Sequence, residues 1–460
     1  MRRRLPIFLL VGMFSLLLMA VGTACVSGAD ALDGTPVEAI LLPPPQVPPP
    51  TAKNNQHIVV HLEAVEKEME VAPGVTITAW TFNGFVPGPL IRVRVGDTVE
   101  VHLKNSTSST MTHNIDLHAV NGPGGGAGAT SVAPGEEKAF AFKAKSVGLF
   151  TYHCAAGIVA DHSANGMYGG IMVDPAVGNP DVDKEFYIGQ SDIYTTDDGL
   201  KGHHDLDSKR LIAEDPSYVV FNGNTKSTVG DNALMANVGD TVRIYFVDGG
   251  PNKISSFHVI GEIFDKVWEG GTMESPPRKG IQTTLVPPGG SAITEFYVDV
   301  PGDYKLVDHA ISRVSKGAVG TLHVMGKDDP DVFRVLGKQS GAAAASHEMT
   351  APTPTPFTIA AGSGPVKVEM SDSIFTPSVL QVAAGQAVTF SLPNLGKLPH
   401  NMRIADASGS YDDGKATVSD PEIINAGKTG TVTWTPKSAG TYQFRCDVHP
   451  DVMKGTIVVQ

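Results

Sequence analysis

Cysteine is almost missing from this sequence. Cys25, Cys154 and Cys446 are its only three in 460 residues. An exported scaffold stapled by disulfides needs more, in paired number. Cys25 sits in the N-terminal signal region, while Cys154 and Cys446 lie far apart, each with histidines and a methionine close by. Two lone thiols in an oxidising compartment need a reason, and a bound metal supplies one. An excess of positive charge is also missing: 35 Lys and Arg stand against 48 Asp and Glu, a formal net charge of −13. That argues against a nucleic-acid partner and favours a soluble acidic surface. Long helices are not evident. Gly (50) and Pro (33) are abundant instead, as many short strands joined by turns require. The length suggests about three packed domains.

The N-terminus reads as an export signal over residues 1–29. Arg2, Arg3 and Arg4 give a basic start, residues 5–21 are almost wholly apolar, and small residues follow. An uncleaved membrane anchor is the alternative. Cys25 follows Gly22-Thr23-Ala24, which loosely resembles a lipoprotein processing site without its usual aliphatic residue. A lipid anchor at Cys25 and ordinary cleavage near Ser27-Gly28-Ala29 both stay open. Either way the chain is expected outside the cytoplasm, periplasmic or at the cell surface. Residues 30–56 carry two proline triplets, Pro43–Pro45 and Pro48–Pro50, and read as a stiff extended tether. Residues 326–364 shift to Ala, Pro, Thr, Gly and Ser and read as a second linker.

Three related units occupy residues 57–175, 176–325 and 365–460. Each opens on a turn and an alternating strand: Gly96-Asp97-Thr98-Val99, Gly239-Asp240-Thr241-Val242 and Gly385-Gln386-Ala387-Val388. A histidine follows each strand: His113, His258 and His400. Each unit then reaches a Gly-x-(Phe/Tyr) strand at Gly148, Gly302 and Gly440. The first and third of these strands run into cysteine; the second has Asp308 and then His309. This is an internal repeat, and its period-two patterning and turn density predict an all-β chain of three antiparallel Greek-key β-sandwiches.

The third unit supplies His400, Cys446, His449 and Met453. Two imidazoles, a thiolate and a thioether are the ligand set of a trigonal type 1 copper site with a weak axial methionine. The first unit repeats the set with His113, Cys154, His162 and Met167. A lone Met or His at such a place is usually core packing; four correct types at this spacing are not. Two further histidines, His118 and His153, remain in the first unit. Strand side chains alternate faces, so with Cys154 pointing inward His153 points outward. His118 and Asp116 lie at odd offsets from inward His113 and point outward too if that segment is extended. Two imidazoles seldom hold a catalytic copper alone, and His309 is a candidate third ligand, leaving positions open for substrate. Taken singly, His118 or His309 is an ordinary surface histidine. Adjacent His153 and Cys154, with one on each metal, would give an electron a covalent path.

At this point residues 57–325 resemble two-domain copper nitrite reductases. The motifs are Thr112-His113-Asn114-Ile115-Asp116-Leu117-His118, Tyr152-His153-Cys154, His162 with Asn165-Gly166-Met167, Phe257-His258-Val259-Ile260-Gly261 and Asp308-His309. Residues 366–460 resemble plastocyanin-like or pseudoazurin-like cupredoxins, and together the resemblances imply that all three sandwiches are cupredoxin-like. The resemblance implies a homotrimer whose type 2 copper lies between subunits, His118 and His153 of one chain meeting His309 of the next. It implies one-electron reduction of nitrite to nitric oxide, with Asp116 and His258 relaying protons and Ile260 limiting how nitrite sits. It also implies three coppers per chain, two type 1 and one type 2. The C-terminal unit would serve as a tethered donor fed by an external cytochrome c or cupredoxin. Asp308 and Ala310 depart from the asparagines of many relatives, which puts local hydrogen bonding in doubt.

Two other readings compete. A laccase-like multicopper oxidase needs paired His-x-His motifs and a His-Cys-His run. This sequence has no His-x-His, and Ala155 follows Cys154. A non-enzymatic electron carrier with two type 1 sites would leave His118, His153 and His309 without a purpose.

Overall fold

The computed structural model describes residues 32, 34–196, 202–336, 357–360, 364–371, 374–412, 414–450 and 453–460. The export signal, Cys25 and most of the second linker lie outside these. Contacts separate Met1–Gly34 from Thr35–Gln460, and the strands below belong to the second body.

The first unit holds β1 (Pro36–Glu38), β2 (His57–Ala72), β3 (Val75–Phe82), β4 (Ile91–Arg94), β5 (Thr98–Asn105), β6 (Asp116–Leu117), β7 (Glu137–Lys143), β8 (Gly148–His153) and β9 (Tyr168–Asp174). One sheet runs β3-β2-β5-β7 with β1 on β2; the other runs β4-β9-β8-β6. Alternation sets the faces: Val99, Val101 and Leu103 of β5 enter the core, and Glu100, His102 and Lys104 face outward. A six-residue helix α1 (Val159–Ala164) interrupts the chain before β9.

The second unit holds β10 (Lys184–Ile193), β11 (Gly202–His204), β12 (Tyr218–Phe221), β13 (Leu234–Asn237), β14 (Thr241–Asp248), β15 (Ser255–Ile260), β16 (Lys266–Glu269), β17 (Thr283–Val286), β18 (Ser291–Tyr297), β19 (Gly302–Asp308) and β20 (Val319–Met325). Its sheets run β12-β10-β14-β18-β16 and β13-β20-β19-β15-β17, while β11 pairs with β3 of the first unit. Phe246, Phe257, Phe264 and Phe296 fill the space between the sheets.

The third unit holds β21 (Phe357–Thr358), β22 (Val366–Lys367), β23 (Glu369–Ser371), β24 (Ile374–Thr376), β25 (Val379–Val382), β26 (Val388–Pro393), β27 (Arg403–Ile404), β28 (Thr417–Val418), β29 (Thr429–Trp434), β30 (Gly440–Arg445) and β31 (Lys454–Val459). Its main sheets run β21-β25-β31-β30-β27-β28 and β22-β26-β29.

The chain is all-β, but the sheets are mixed rather than antiparallel throughout. Each unit contains the same two pairs of parallel neighbours: β2 with β5 and β4 with β9, β10 with β14 and β13 with β20, β22 with β26 and β25 with β31. Strand patterning reports which side chains are buried, not strand direction. A chain that crosses to the other sheet and returns lies beside its earlier strand in the same sense.

From Pro36 onward the Pro-rich segment is docked on the sandwiches rather than free, and it turns at Pro43–Gln46, where Gln46 N donates to the Pro43 carbonyl at 3.0 Å. β1 pairs with β2, the Pro45 carbonyl accepts from Tyr187 N at 2.9 Å, and the Pro48 carbonyl accepts from Arg92 Nη1 at 3.0 Å. Arg92 also belongs to a buried ionic network joining the first two units. It meets Asp174 at 2.8 Å and Glu185 at 2.8 Å; Arg243 meets Glu185 at 2.9 Å and Glu295 at 2.6 Å. Each buried charge thus has an opposite partner, without which it could not stay ionised there.

Candidate metal centres

The first centre is assembled from three places in the first unit. Cys154 follows β8, His113 lies in the loop after β5, and His162 rides on α1. All three are buried, with donor atoms within 4.8 Å of one another. Cys154 Sγ lies 3.9 Å from His113 Nδ1, and the imidazoles of His113 and His162 are 5.2 Å apart at their centroids. Met167 is buried beside them, its carbonyl accepting from Cys154 N at 3.0 Å. Burial pushes the Cys154 thiol up to about 11. Burial, and then the neighbouring His113, pull His162 down to about 4. The imidazoles are therefore neutral acceptors, and the thiol keeps its proton until a cation displaces it. Among the described residues, buried His162 Nδ1 has no hydrogen-bond partner. A soft cation on this nitrogen and the thiolate satisfies both, so the donor set fits copper.

The C-terminal unit repeats this arrangement. Cys446 Sγ lies 3.8 Å from His400 Nδ1 and 3.7 Å from His449 Nδ1, all buried, and the Met453 carbonyl accepts from Cys446 N at 2.9 Å. Two supporting residues were overlooked in the sequence. Asn114 N donates to Cys154 Sγ at 3.4 Å, and Asn401 N to Cys446 Sγ at 3.4 Å. Each asparagine side chain also accepts from the residue after its cysteine, Ala155 N at 2.6 Å and Asp447 N at 2.7 Å. The recurring dipeptide His113-Asn114 and His400-Asn401 was the signal. Glu66 on β2 was overlooked too; its carboxylate lies 3.1 Å from His113 Nε2 and orients that ring. No local pattern marked it.

A third group lies on the outer side of Cys154. β6 pairs with β8 in the register Asp116 to His153, and Asp116, His118 and His153 bring their donor atoms together. His118 Nδ1 lies 3.1 Å from the Gly289 carbonyl, and His153 Nδ1 lies 3.0 Å from the Cys154 carbonyl. A carbonyl only accepts, so each Nδ1 carries the proton and each Nε2 is bare. Those two Nε2 atoms face each other at 3.1 Å. Burial, then the neighbouring His153, hold His118 below its ordinary value. Two bare lone pairs converging on one point fit a cation. Gly125, also overlooked, shapes this pocket. Its φ is +56°, and a Cβ there would fall 1.8 Å from Asp116 Oδ1. The Gly124-Gly125-Gly126 run was the available signal.

His258 and His309 form a separate pair in the second unit, with ring centroids 5.4 Å apart. His258 and Ile260 share the outer face of β15, while Phe257 and Val259 enter the core. Among the described residues, no group of three mutually close donor atoms joins His309 to His118 and His153. Asp308 stands where the other units carry cysteine. Its buried carboxylate accepts from Ser256 N at 3.1 Å, Ala310 N at 3.0 Å, Gln190 Nε2 at 3.3 Å and Arg313 Nη1 at 2.6 Å. The carboxylate pins the turn that presents His309.

Comparison with known proteins follows the same division. Residues 63–177 match the family described as multicopper oxidase, and residues 341–459 match the cupredoxin-like domain. The copper-containing nitrite reductase of Neisseria gonorrhoeae is 52% identical over 301 residues, covering 65% of this chain and 76% of that one. The chain belongs to the copper-containing nitrite reductase family. Among solved structures, a copper nitrite reductase from Nitrosomonas europaea matches with a TM-score of 0.53 and 34% identity, over 61% of this chain and 98% of that one. A copper-containing nitrite reductase from Thermus scotoductus SA-01 matches with a TM-score of 0.52 and 29% identity, over 87% of this chain and 99% of that one. The larger share extends past the first two units into the C-terminal one. The multicopper oxidase family model matches the first unit alone.

Proposed function

We propose that this family member is a nitrite reductase that forms nitric oxide and carries its own electron-donating domain. The overall reaction takes one electron and two protons, converting nitrite to nitric oxide and water. His113, Cys154, His162 and Met167 would hold one type 1 copper, and His400, Cys446, His449 and Met453 a second. His118 and His153 would hold the type 2 copper, three per chain in all. Bound copper supplies one-electron redox chemistry at the sulfur-ligated centres and a Lewis-acid position for the anion at the imidazole centre. The observation that carries the reading is the pair of bare Nε2 atoms at 3.1 Å, one of them on the residue adjacent to Cys154.

The separation of His309 from that pair supports a third ligand from a neighbouring copy, as a cyclic trimer would provide. Asp116, close to both imidazoles, would hold and pass a proton to a departing oxygen. His258, beside His309, would supply the second proton, and Ile260 an apolar wall limiting how the anion sits. The C-terminal unit would take electrons from an external cytochrome c or cupredoxin. The basic and apolar N-terminal residues support export to the periplasm or cell surface, with Cys25 a candidate lipid anchor.

Metal analysis with electron paramagnetic resonance tests this. Fully loaded protein should show two type 1 signals for each type 2 signal. His309→Ala should lose the type 2 signal and nitrite turnover while both thiolate chromophores persist. Turnover surviving in that variant would overturn the assignment. A fourth copper in a coupled pair would favour an oxidase.

A further inference from the structure

We propose that His61, His102 and Glu137 form an additional divalent-metal site, suited to zinc, on the outer face of the first unit. Four groups among the described residues bring at least three donor atoms within 4.8 Å of one another. Three are the centres above; the fourth is this one, and neither nitrite reduction nor electron transfer uses it. Its geometry comes from the sheet. His61 of β2 and His102 of β5 are direct register partners in a parallel pair, with ring centroids 4.7 Å apart. Glu137 reaches in from β7, its Oε1 3.1 Å from His102 Nδ1. Two imidazoles and a carboxylate are a zinc donor set, and the partly exposed position leaves room for water to complete a tetrahedron.

The surrounding carboxylates strengthen the case. Glu100 Oε1 lies 2.8 Å from His102 Nε2, the nitrogen facing away from Glu137. Glu100 Oε2 lies 2.6 Å from His57 Nε2, which holds the carboxylate in place. Glu38 of β1 lies 3.5 Å from His61 Nε2. A carboxylate on the outer nitrogen of a ligating imidazole fixes its orientation and raises its basicity. Zinc here would clip β2, β5 and β7 together. The simpler alternative is a ladder of His–Glu pairs that binds no metal.

The test uses copper-saturated protein, titrated with Zn²⁺ by calorimetry and analysed for bound zinc after desalting. The parent should take up one zinc ion per chain that the His61→Asn/His102→Gln variant does not, with the visible absorption of both thiolate centres unchanged. Glu100→Gln keeps all three ligands and should weaken zinc by about tenfold. Should the double variant lose its visible absorption, the exposed change Glu137→Gln makes the same comparison. Equal zinc uptake by parent and ligand variants, or none by the parent at large molar excess, would overturn the proposal. Neither outcome touches the nitrite reductase reading, which the copper signals judge separately.

Discussion

At the residue scale, chemistry at the outer centre is set by which nitrogen of each imidazole is engaged. The carbonyls of Gly289 and Cys154 each accept a hydrogen bond from an Nδ1–H, leaving two Nε2 acceptors aimed at one point. Asp116 stands beside them without being needed to complete the pair. Asp116→Asn should therefore lower nitrite turnover by about 100-fold, the usual size of a lost proton relay. The type 2 resonance should survive. Loss of copper in step with activity would make Asp116 a ligand support instead. Gly125→Ala should act through the same carboxylate. Its Cβ would overlap Asp116 Oδ1, and φ of +56° disfavours any side chain. Turnover should fall while both type 1 spectra stay intact.

At the element scale, β19 runs into Asp308 and His309 where β8 and β30 run into cysteine. Asp308 takes four hydrogen bonds where its counterparts carry thiols. Asp308→Ala removes the buried acceptor shared by Ser256 N, Ala310 N, Gln190 and Arg313, which should cost about 2–3 kcal/mol. Type 2 copper should be lost as well, read by thermal unfolding and resonance together. The turn after β15 offers a pH test. Burial, then Asp299 and Asp265, push the Glu262 carboxyl up to about 8. A carboxyl raised on folding contributes stability that is complete below its unfolded value, about 4.5, and lost as pH rises through about 8. Glu262→Gln should accordingly raise the melting temperature more at pH near 9 than at pH near 5.

At the scale of the whole molecule, the question is which unit serves which. Cys446→Ala should bleach only the C-terminal chromophore. If that unit is the electron inlet, small artificial donors will still drive full turnover in the variant while the physiological donor fails. Equal rates with every donor would make the unit dispensable. Mixed assemblies test the shared centre: His118→Ala and His309→Ala chains, each inactive alone, should regain activity when assembled together. A single-chain centre predicts no recovery.

Much of this was legible from residue order. Alternation and turns marked three sandwiches because burial of every second side chain is a local property. The two His-Cys-His groups were legible because each places a cysteine and a histidine at close spacing, with one upstream histidine. Strand direction was not legible, since parallel and antiparallel strands bury the same alternating residues. Nor was the docking of the Pro-rich segment, which depends on Arg92 and Tyr187 reaching it from distant strands. Glu66, the anchoring role of Asp308, and the gathering of His61, His102 and Glu137 were likewise decided by tertiary structure. Each depends on residues far apart in the chain meeting across a sheet, and only the folded register sets that distance.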